Sequence, residues 1–185
     1  MKNAYKVLEQ QEYSNGRLSI VPIRFSDRHK IRVWRNEQIY HLRQENYLSE
    51  EDQDHYFDKV IKKTFSEDQP KQVLFSYLED GECIGYGGLV HINWGDQNAE
   101  ISFLMKTDIK GQEYESYMIS FMGLIEQVAF KELNLHKLFT YAYDMRPEIY
   151  RILEKSGFKR EAILKEHCCR EAVFIDVIIH AKFKP

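Results

Sequence analysis

A strand followed by a glycine-containing turn and a helix start constrains the fold of this chain more than any other segment. Residues 99–105 alternate apolar and polar side chains, and residues 110–116 open a long amphipathic pattern. The free N–H groups and the positive dipole end of such a helix can hold phosphate, and Gly111 lets the backbone approach a ligand closely. Glu113 and Glu115 also stabilise a helix N-terminus by themselves, so a phosphate site and a simple capped helix both remain open.

Length, composition and charge restrict the class of protein. The chain has 185 residues, which predicts one domain with a real core. An apolar content of 43% argues against disorder, and a net charge of −3 argues against nucleic-acid binding. Residues 1–16 form a polar segment without the apolar core of a signal peptide, and no apolar run is long enough to span a bilayer. We therefore expect a cytoplasmic protein with a domain at residues 17–185 and neither nucleic-acid nor membrane partners.

Apolar periodicity and turn residues predict the order β-α-α-β-β-β-α-β-α-β-β. This is a single α+β domain whose sheet is mixed and mostly antiparallel, with helices flanking it. The strand–helix–strand units at the end favour parallel pairing there, and the apolar run 173–181 is typical of a strand covered on both faces. The other predicted strands are 17–24, 72–79, 83–92, 99–106 and 137–143, and the long helix runs to about Lys131.

Four strings in this order resemble the GNAT superfamily of acyl-CoA-dependent N-acetyltransferases, and most closely its branch of ribosomal-protein and amino-sugar acetyltransferases. The last string, which reads LEKSGF and then EA, matches the end of the final helix and the opening of the following strand pair. The resemblance extends over nearly the whole chain from Arg17 onward and implies the GNAT fold. The strings are residues 23–27 with 34–36, residues 81–88, residues 99–105 running into 110–111, and residues 152–158 with 161–162.

The resemblance implies acetyl-CoA as co-substrate. In the family a glycine-rich turn binds the pyrophosphate, and two of its glycines are Glu113 and Glu115 here. Pro147 stands where many members carry an Asn that bonds the cofactor. The strand before the turn polarises the thioester in the family through backbone N–H groups, a role that does not depend on side chains. The implied cofactor-binding residues are Phe103, Leu104, Met105, Lys110, Gly111, Gln112, Glu113, Tyr114, Glu115 and Ser116.

Acetyl transfer to an amine requires removal of a proton from the ammonium group and stabilisation of the leaving thiolate. Glu100 lies on the strand that flanks the acceptor in the family, and it is either the general base or an exposed strand residue. Tyr150 and Tyr143 are either proton donors or lining residues. On the acceptor side, Trp34, Arg35 and His91 are candidates for substrate contacts, with structural packing as the alternative for Trp34 and a structural hydrogen bond as the alternative for His91.

No metal is expected, because the adjacent Cys168 and Cys169 lack the spacing of zinc ligands. The predicted function is acetyl-CoA-dependent N-acetylation by direct attack of a primary amine, without a covalent enzyme intermediate. The acceptor is an amino-sugar nucleotide, a protein N-terminus or a small amine, with a slight tilt toward a small cationic or amino-sugar acceptor. We expect a monomer or a homodimer. The alternative, suggested by Glu113, Glu115 and Pro147, is an impaired GNAT fold that binds a ligand or a partner.

Overall fold

The computed structural model describes residues 3–185, and its centre is one sheet of eight strands in the order β1-β2-β3-β4-β5-β6-β8-β7. Every neighbouring pair is antiparallel except β5 and β6, which are parallel. The mixed, mostly antiparallel sheet is therefore confirmed. The strands are β1 (Tyr13–Asn15), β2 (Leu18–Pro22), β3 (Val73–Glu79), β4 (Glu82–Asn93), β5 (Asn98–Met105), β6 (Lys137–Tyr143), β7 (Lys159–Arg170) and β8 (Val173–Phe183).

Four α-helices flank the sheet on its two faces. The core clusters divide accordingly, with Ile31 and Phe57 on the α1–α2 face, and Phe121 and Leu153 on the α3–α4 face. Both α2 and α3 widen into a π-helical turn near the C-terminal end. The helices are α1 (Arg28–Glu37), α2 (Glu50–Tyr56, continued by Phe57–Ile61 and Lys62–Thr64), α3 (Gly111–Glu126, continued by Gln127–Glu132) and α4 (Pro147–Lys155).

The local signals in the sequence locate the centre of the fold correctly. Strands β3, β4 and β5 lie where the sequence predicts strands and form an antiparallel meander, and α3 begins at Gly111, directly after the predicted turn. The Ser49 side chain accepts a hydrogen bond from the Asp52 backbone N–H, and the Asp52 carboxylate accepts one from the Ser49 N–H, so a capping box begins α2.

The polar N-terminal segment packs against the domain in its described part, residues 3–16. Tyr5 is only 1% exposed, and its hydroxyl donates to the Leu74 carbonyl at 2.7 Å and accepts from the Leu74 N–H at 2.9 Å. Strand β1, which the periodicity does not predict, pairs with β2. The core therefore begins before residue 17.

The expectations for the C-terminal strands hold only in part. The strand–helix–strand unit β5-α3-β6 gives the predicted parallel pair, but β8 lies between β6 and β7 and is antiparallel to both, so the second unit adds none. Strand β8 is also not covered throughout, because Val173 and Phe174 are 60% and 64% exposed. The physical reason is that β6 reaches only to the Tyr143–Val177 pair, so the first residues of β8 pair with β7 alone.

Close packing between β4 and β5 fixes the strand that leads to the site. A Cβ atom at Gly87 would lie 2.3 Å from the Ser102 carbonyl oxygen, and one at Gly85 would lie 2.7 Å from that of Leu104. Because these contacts leave no room for a side chain, glycine is required at both positions for β4 to approach β5 this closely.

Within residues 3–185, the helices are all too short or too polar to cross a bilayer.

Candidate active site

The parallel strands β5 and β6 pair over only three positions and then separate. The last pair joins Glu100 and Phe139, while β5 continues to Met105 and β6 to Tyr143. The gap opens into a cleft of about 990 Å³ that reaches both faces of the sheet. On the α3–α4 face the lining includes Tyr114, Met118, Ile149, Tyr150 and Leu153, and we call this the cofactor half. On the α1–α2 face it includes Arg43, Lys59, Lys63, Lys71 and His91, and we call this the acceptor half.

Backbone groups of β5 are directed into the gap at alternate residues. The Lys106 N–H donates to Ile84 on β4. The Ser102 and Leu104 carbonyl oxygens also face β4, because they are the atoms nearest to where a Cβ atom would stand at Gly87 and Gly85 of that strand. Because backbone groups of an antiparallel strand alternate in direction, Phe103 and Met105 face away from β4. The Leu104 N–H therefore faces β4 rather than the gap, contrary to the predicted cofactor contact, whereas the backbone groups of Phe103 and Met105 face the gap.

Glu100 lies where the strands separate, and it is buried rather than exposed, with 4% of its surface accessible. Its carboxylate forms an ion pair with Arg43. The Arg43 guanidinium also lies over the Tyr141 ring, 4.7 Å from the centroid. A buried carboxylate needs such a partner, and the pair places a charged oxygen at the meeting point of the two halves.

His91 lies beside this carboxylate on a distorted part of β4. The register between β4 and β5 shifts between Val90 and Asn93, and His91 has a positive φ of 51°. Its Nε2 atom is 3.8 Å from Glu100 Oε2, and the ring is largely exposed. An uncommon backbone conformation for a residue other than glycine is frequent at functional sites, and here it orients an imidazole toward the cleft.

The N-terminus of α3 combines a glycine turn with free backbone N–H groups. Lys110 is the N-cap residue with an extended backbone, and its side chain does not cap the helix. Gly111 has φ of +61°, and a Cβ at this position would meet nothing within 4 Å. The first backbone N–H groups of α3, including those of Gln112 and Glu113, therefore have no partner within the helix. Ser116 lies exposed one turn further along.

The two acidic residues of this turn have partners of their own. The Glu115 carboxylate pairs with Lys155 and, at 3.0 Å, with Arg151, both on α4. The hydrogen bond from Lys155 lowers the pKa of Glu115 below its ordinary value. The Tyr117 hydroxyl lies 3.2 Å from Glu113 Oε1. Two cations therefore compensate the charge of Glu115, which reduces its repulsion of a phosphate.

Tyr114 and Tyr150 line the cofactor half. Burial raises the pKa of Tyr114, and nearby Arg146 offsets part of that rise. The Tyr150 hydroxyl donates to Asp144 Oδ1 at 2.9 Å, and its ring stacks on His180 with centroids 5.3 Å apart. Burial, and then the bond to Asp144, raise the pKa of Tyr150 far above its usual range, so the phenol stays protonated at neutral pH.

The remaining predicted residues have mainly structural contacts. The Arg35 guanidinium donates to the Tyr86 hydroxyl at 2.6 Å and to Gln44 Oε1 at 2.9 Å, which joins α1 to the sheet at the cleft wall. Trp34 packs against the apolar cluster on the α1–α2 face, in agreement with its structural interpretation. Tyr143 lines the cleft beneath the Arg170 guanidinium, which is 5.0 Å from the ring centroid.

Comparison with known proteins places the chain in a family. A family model described as acetyltransferase (GNAT) domain matches residues 20–179. The chain belongs to the GNAT acetyltransferase family. It is an N-acetyltransferase, and acetyl-CoA is its co-substrate. The free N–H groups at the start of α3 fit the phosphates of that molecule, and Tyr114 on α3 and Phe103 on β5 line the same cleft.

Solved structures of low sequence identity share the fold. The spermidine N-acetyltransferase from Vibrio cholerae, in complex with CoA and spermine, is 20% identical, with a TM-score of 0.78 over 92% of this chain and 97% of that one. A dodecameric structure of the same enzyme gives a TM-score of 0.74. A probable acetyltransferase is 16% identical, with a TM-score of 0.74 over 94% of this chain and 97% of that one.

Proposed function

We propose that this acetyltransferase transfers the acetyl group directly to a primary amine of a small acceptor, with Glu100 as the general base. The observation that carries the proposal is the position of the buried Glu100 carboxylate, in the gap between β5 and β6 where the two halves of the cleft meet. Acetyl-CoA supplies an activated thioester, and spermine in the Vibrio cholerae complex is a small amine. An amine in the acceptor half would reach the thioester through the gap.

In this proposal each group of the chain has one task. The N–H groups at the start of α3 bind the pyrophosphate, and the backbone of Phe103 and Met105 binds the pantetheine arm and polarises the carbonyl. Glu100 accepts the proton of the attacking ammonium, and His91 lies within 4 Å of that carboxylate to carry the proton toward solvent.

In this proposal the Tyr150 hydroxyl, which donates to Asp144 in the structure, turns its hydrogen toward the departing thiolate and stabilises it by a hydrogen bond. Its high pKa makes it a poor acid but leaves it a permanent donor at neutral pH. A direct check is Tyr150→Phe, which should lower kcat about tenfold while the affinity for acetyl-CoA stays within a factor of two. An unchanged kcat would leave Tyr150 as a lining residue only.

The experiment that tests the function is thiol release from acetyl-CoA with a panel of amines, monitored with a thiol reagent. The panel contains an amino sugar, a phosphorylated amino sugar, spermidine and a short peptide with a free N-terminus. The first control is thermal unfolding with acetyl-CoA alone, because a ligand at a hundredfold its Kd stabilises the fold by about 2.7 kcal/mol. Stabilisation by acetyl-CoA without turnover of any amine would contradict the proposed transfer.

A further inference from the structure

The acceptor half of the cleft carries an excess of basic side chains. Lys59 and Lys63 project from the last turns of α2, one helical turn apart, and Lys71 precedes β3. We call these three lysines the basic patch. The carboxylates that line the same half are Glu67 and Glu100, and Glu100 is already paired with Arg43.

The basic patch is joined to the reacting centre by direct contacts. The Ile92 N–H donates to the Lys71 carbonyl at 3.0 Å, so Lys71 lies beside the strand residue that follows His91. The Tyr56 hydroxyl and the Gln72 side-chain amide hydrogen-bond at 3.0 Å, which fixes α2 to the same wall. The three lysines therefore line the same cleft as His91 and Glu100.

These charges have no internal partner in the described part of the chain. All three lysines are exposed, and the lysine ion pairs within 4.0 Å in residues 3–185 involve other lysines. Basic residues at a helix C-terminus can simply complement the helix dipole, but Lys71 is not on a helix. The chain as a whole has a net charge of −3, so this local excess of positive charge does not follow from the composition.

We propose that the basic patch binds an anionic group of the acceptor, so that the substrate is a primary amine that also carries a phosphate or a carboxylate. This inference rests on the proposed function and specifies its acceptor. The anion binds to Lys59, Lys63 and Lys71, and the amine extends past His91 to Glu100. A polyamine is disfavoured, because its further ammonium groups would face three like charges.

Binding tests the patch without requiring turnover. Glucosamine 6-phosphate and glucosamine differ only in the phosphate, and each is titrated by calorimetry into the protein saturated with CoA. We expect the phosphorylated sugar to bind at least tenfold more tightly, with an affinity that falls as salt rises. 4-Aminobutyrate against butylamine tests a carboxylate in the same way and distinguishes the two anions. Equal affinities within both pairs would overturn the inference.

Substitutions of the lysines test where the anionic group binds. The triple variant Lys59→Ala, Lys63→Ala, Lys71→Ala should remove the preference for the anionic member of the pair, while Lys62→Ala should retain it. Lys62 is a matched control, since it is an exposed lysine in the same turn of α2 that does not line the cleft. An unchanged preference in the triple variant would overturn the assignment to these lysines.

The binding and acetylation experiments distinguish a failure of this inference from a failure of the proposed function. Acetylation of amines with spermidine preferred, or without any preference for an anion, would refute the anionic acceptor and leave acetyl transfer intact. Tight binding of the phosphorylated sugar through the patch, with no acetylation of any amine, would support the patch and refute the transfer.

Discussion

Arg43 and Glu100 form an ion pair at the point where β5 and β6 separate. The arginine side chain is 42% exposed, whereas that of the glutamate is 6% exposed. The guanidinium therefore compensates a buried charge from the solvent side, and its departure without a replacement cation would leave the carboxylate unpaired. An ammonium group that enters the acceptor half has to displace Arg43 or share the carboxylate with it.

The first prediction concerns Glu100→Gln. Loss of a general base typically costs a factor of about 10² to 10⁴ in rate, and acetyl-CoA affinity should stay nearly unchanged because backbone groups hold the cofactor. Raising the pH should recover part of the rate, since more of the amine is then unprotonated in solution. The measurement is kcat/KM across a pH series together with the Kd of acetyl-CoA.

Glu67→Gln is the control for this change, because Glu67 is an exposed carboxylate that lines the same cleft. It should retain nearly full activity. A rate within twofold of wild type in Glu100→Gln, or a loss that no increase in pH recovers, would remove Glu100 from the mechanism.

The second prediction concerns the start of α3. Glu115→Gln removes a negative charge from the first turns and leaves Lys155 and Arg151 without their carboxylate. Acetyl-CoA should then bind roughly two- to fivefold more tightly, because one negative charge fewer faces the phosphates at the helix terminus. Calorimetry at low salt measures the change, with Glu126→Gln, further along α3, as the control. Weaker binding would show that the glutamate organises the site.

The third prediction concerns the packing of β4 on β5. Gly87→Ala should lower the free energy of unfolding by about 1 to 3 kcal/mol, the usual cost of overpacking, because its Cβ would lie 2.3 Å from the Ser102 carbonyl oxygen. Gly95→Ala should change little, since the one neighbour within 4 Å is Asn93 Oδ1 at 3.6 Å. Urea unfolding of both variants measures the difference, and equal stabilities would contradict the packing.

The fourth prediction concerns pH. Burial, together with the nearby charge of Arg146, lowers the pKa of His41 from 6.5 to about 4. The unfolded chain therefore binds a proton at higher pH than the folded one does, and the stability that this provides is complete above pH 6.5 and is lost as the pH falls toward 4. His41→Gln should lose less stability between about pH 7 and 5 than the wild type does.

Urea unfolding at the two pH values measures this effect. His55→Gln, at an exposed position on α2, is the control and should show the wild-type pH dependence. If His41→Gln also lost as much stability as the wild type, His41 would not be the group responsible.

Alternation, turn residues and helical spacing predict those elements of the fold that depend on residues close together in the sequence. The meander follows from alternation around the Asp80-Gly81 turn, and the start of α3 follows from helical spacing after Gly111. Strand β1 and the buried Tyr5 are not predictable in this way. Tyr5 is buried where it hydrogen-bonds to Leu74, 69 residues away. Strand β1 has only three residues, which are too few to show an alternating pattern.

Some residues of the candidate site can be located from the sequence, and others cannot. Glu100 and the turn at Lys110 can be located from the resemblance to the family, because both lie on regular elements with characteristic strings. Arg43 cannot, because it follows the short 3₁₀ turn Ile39–His41 in an irregular segment and meets Glu100 across 57 residues of sequence. The basic patch is equally hidden, since its lysines read as ordinary solvated charges until the fold brings them together.

The gap between β5 and β6 passes through the sheet, so different elements build its two entrances. The cofactor half depends on α3 and α4, while the acceptor half depends on α1, α2 and Lys71. Under the proposed function, substitutions on α2 therefore change which amine is accepted without disturbing the groups that hold acetyl-CoA. One such scaffold can exchange its acceptor over evolutionary time while it keeps the same acyl donor.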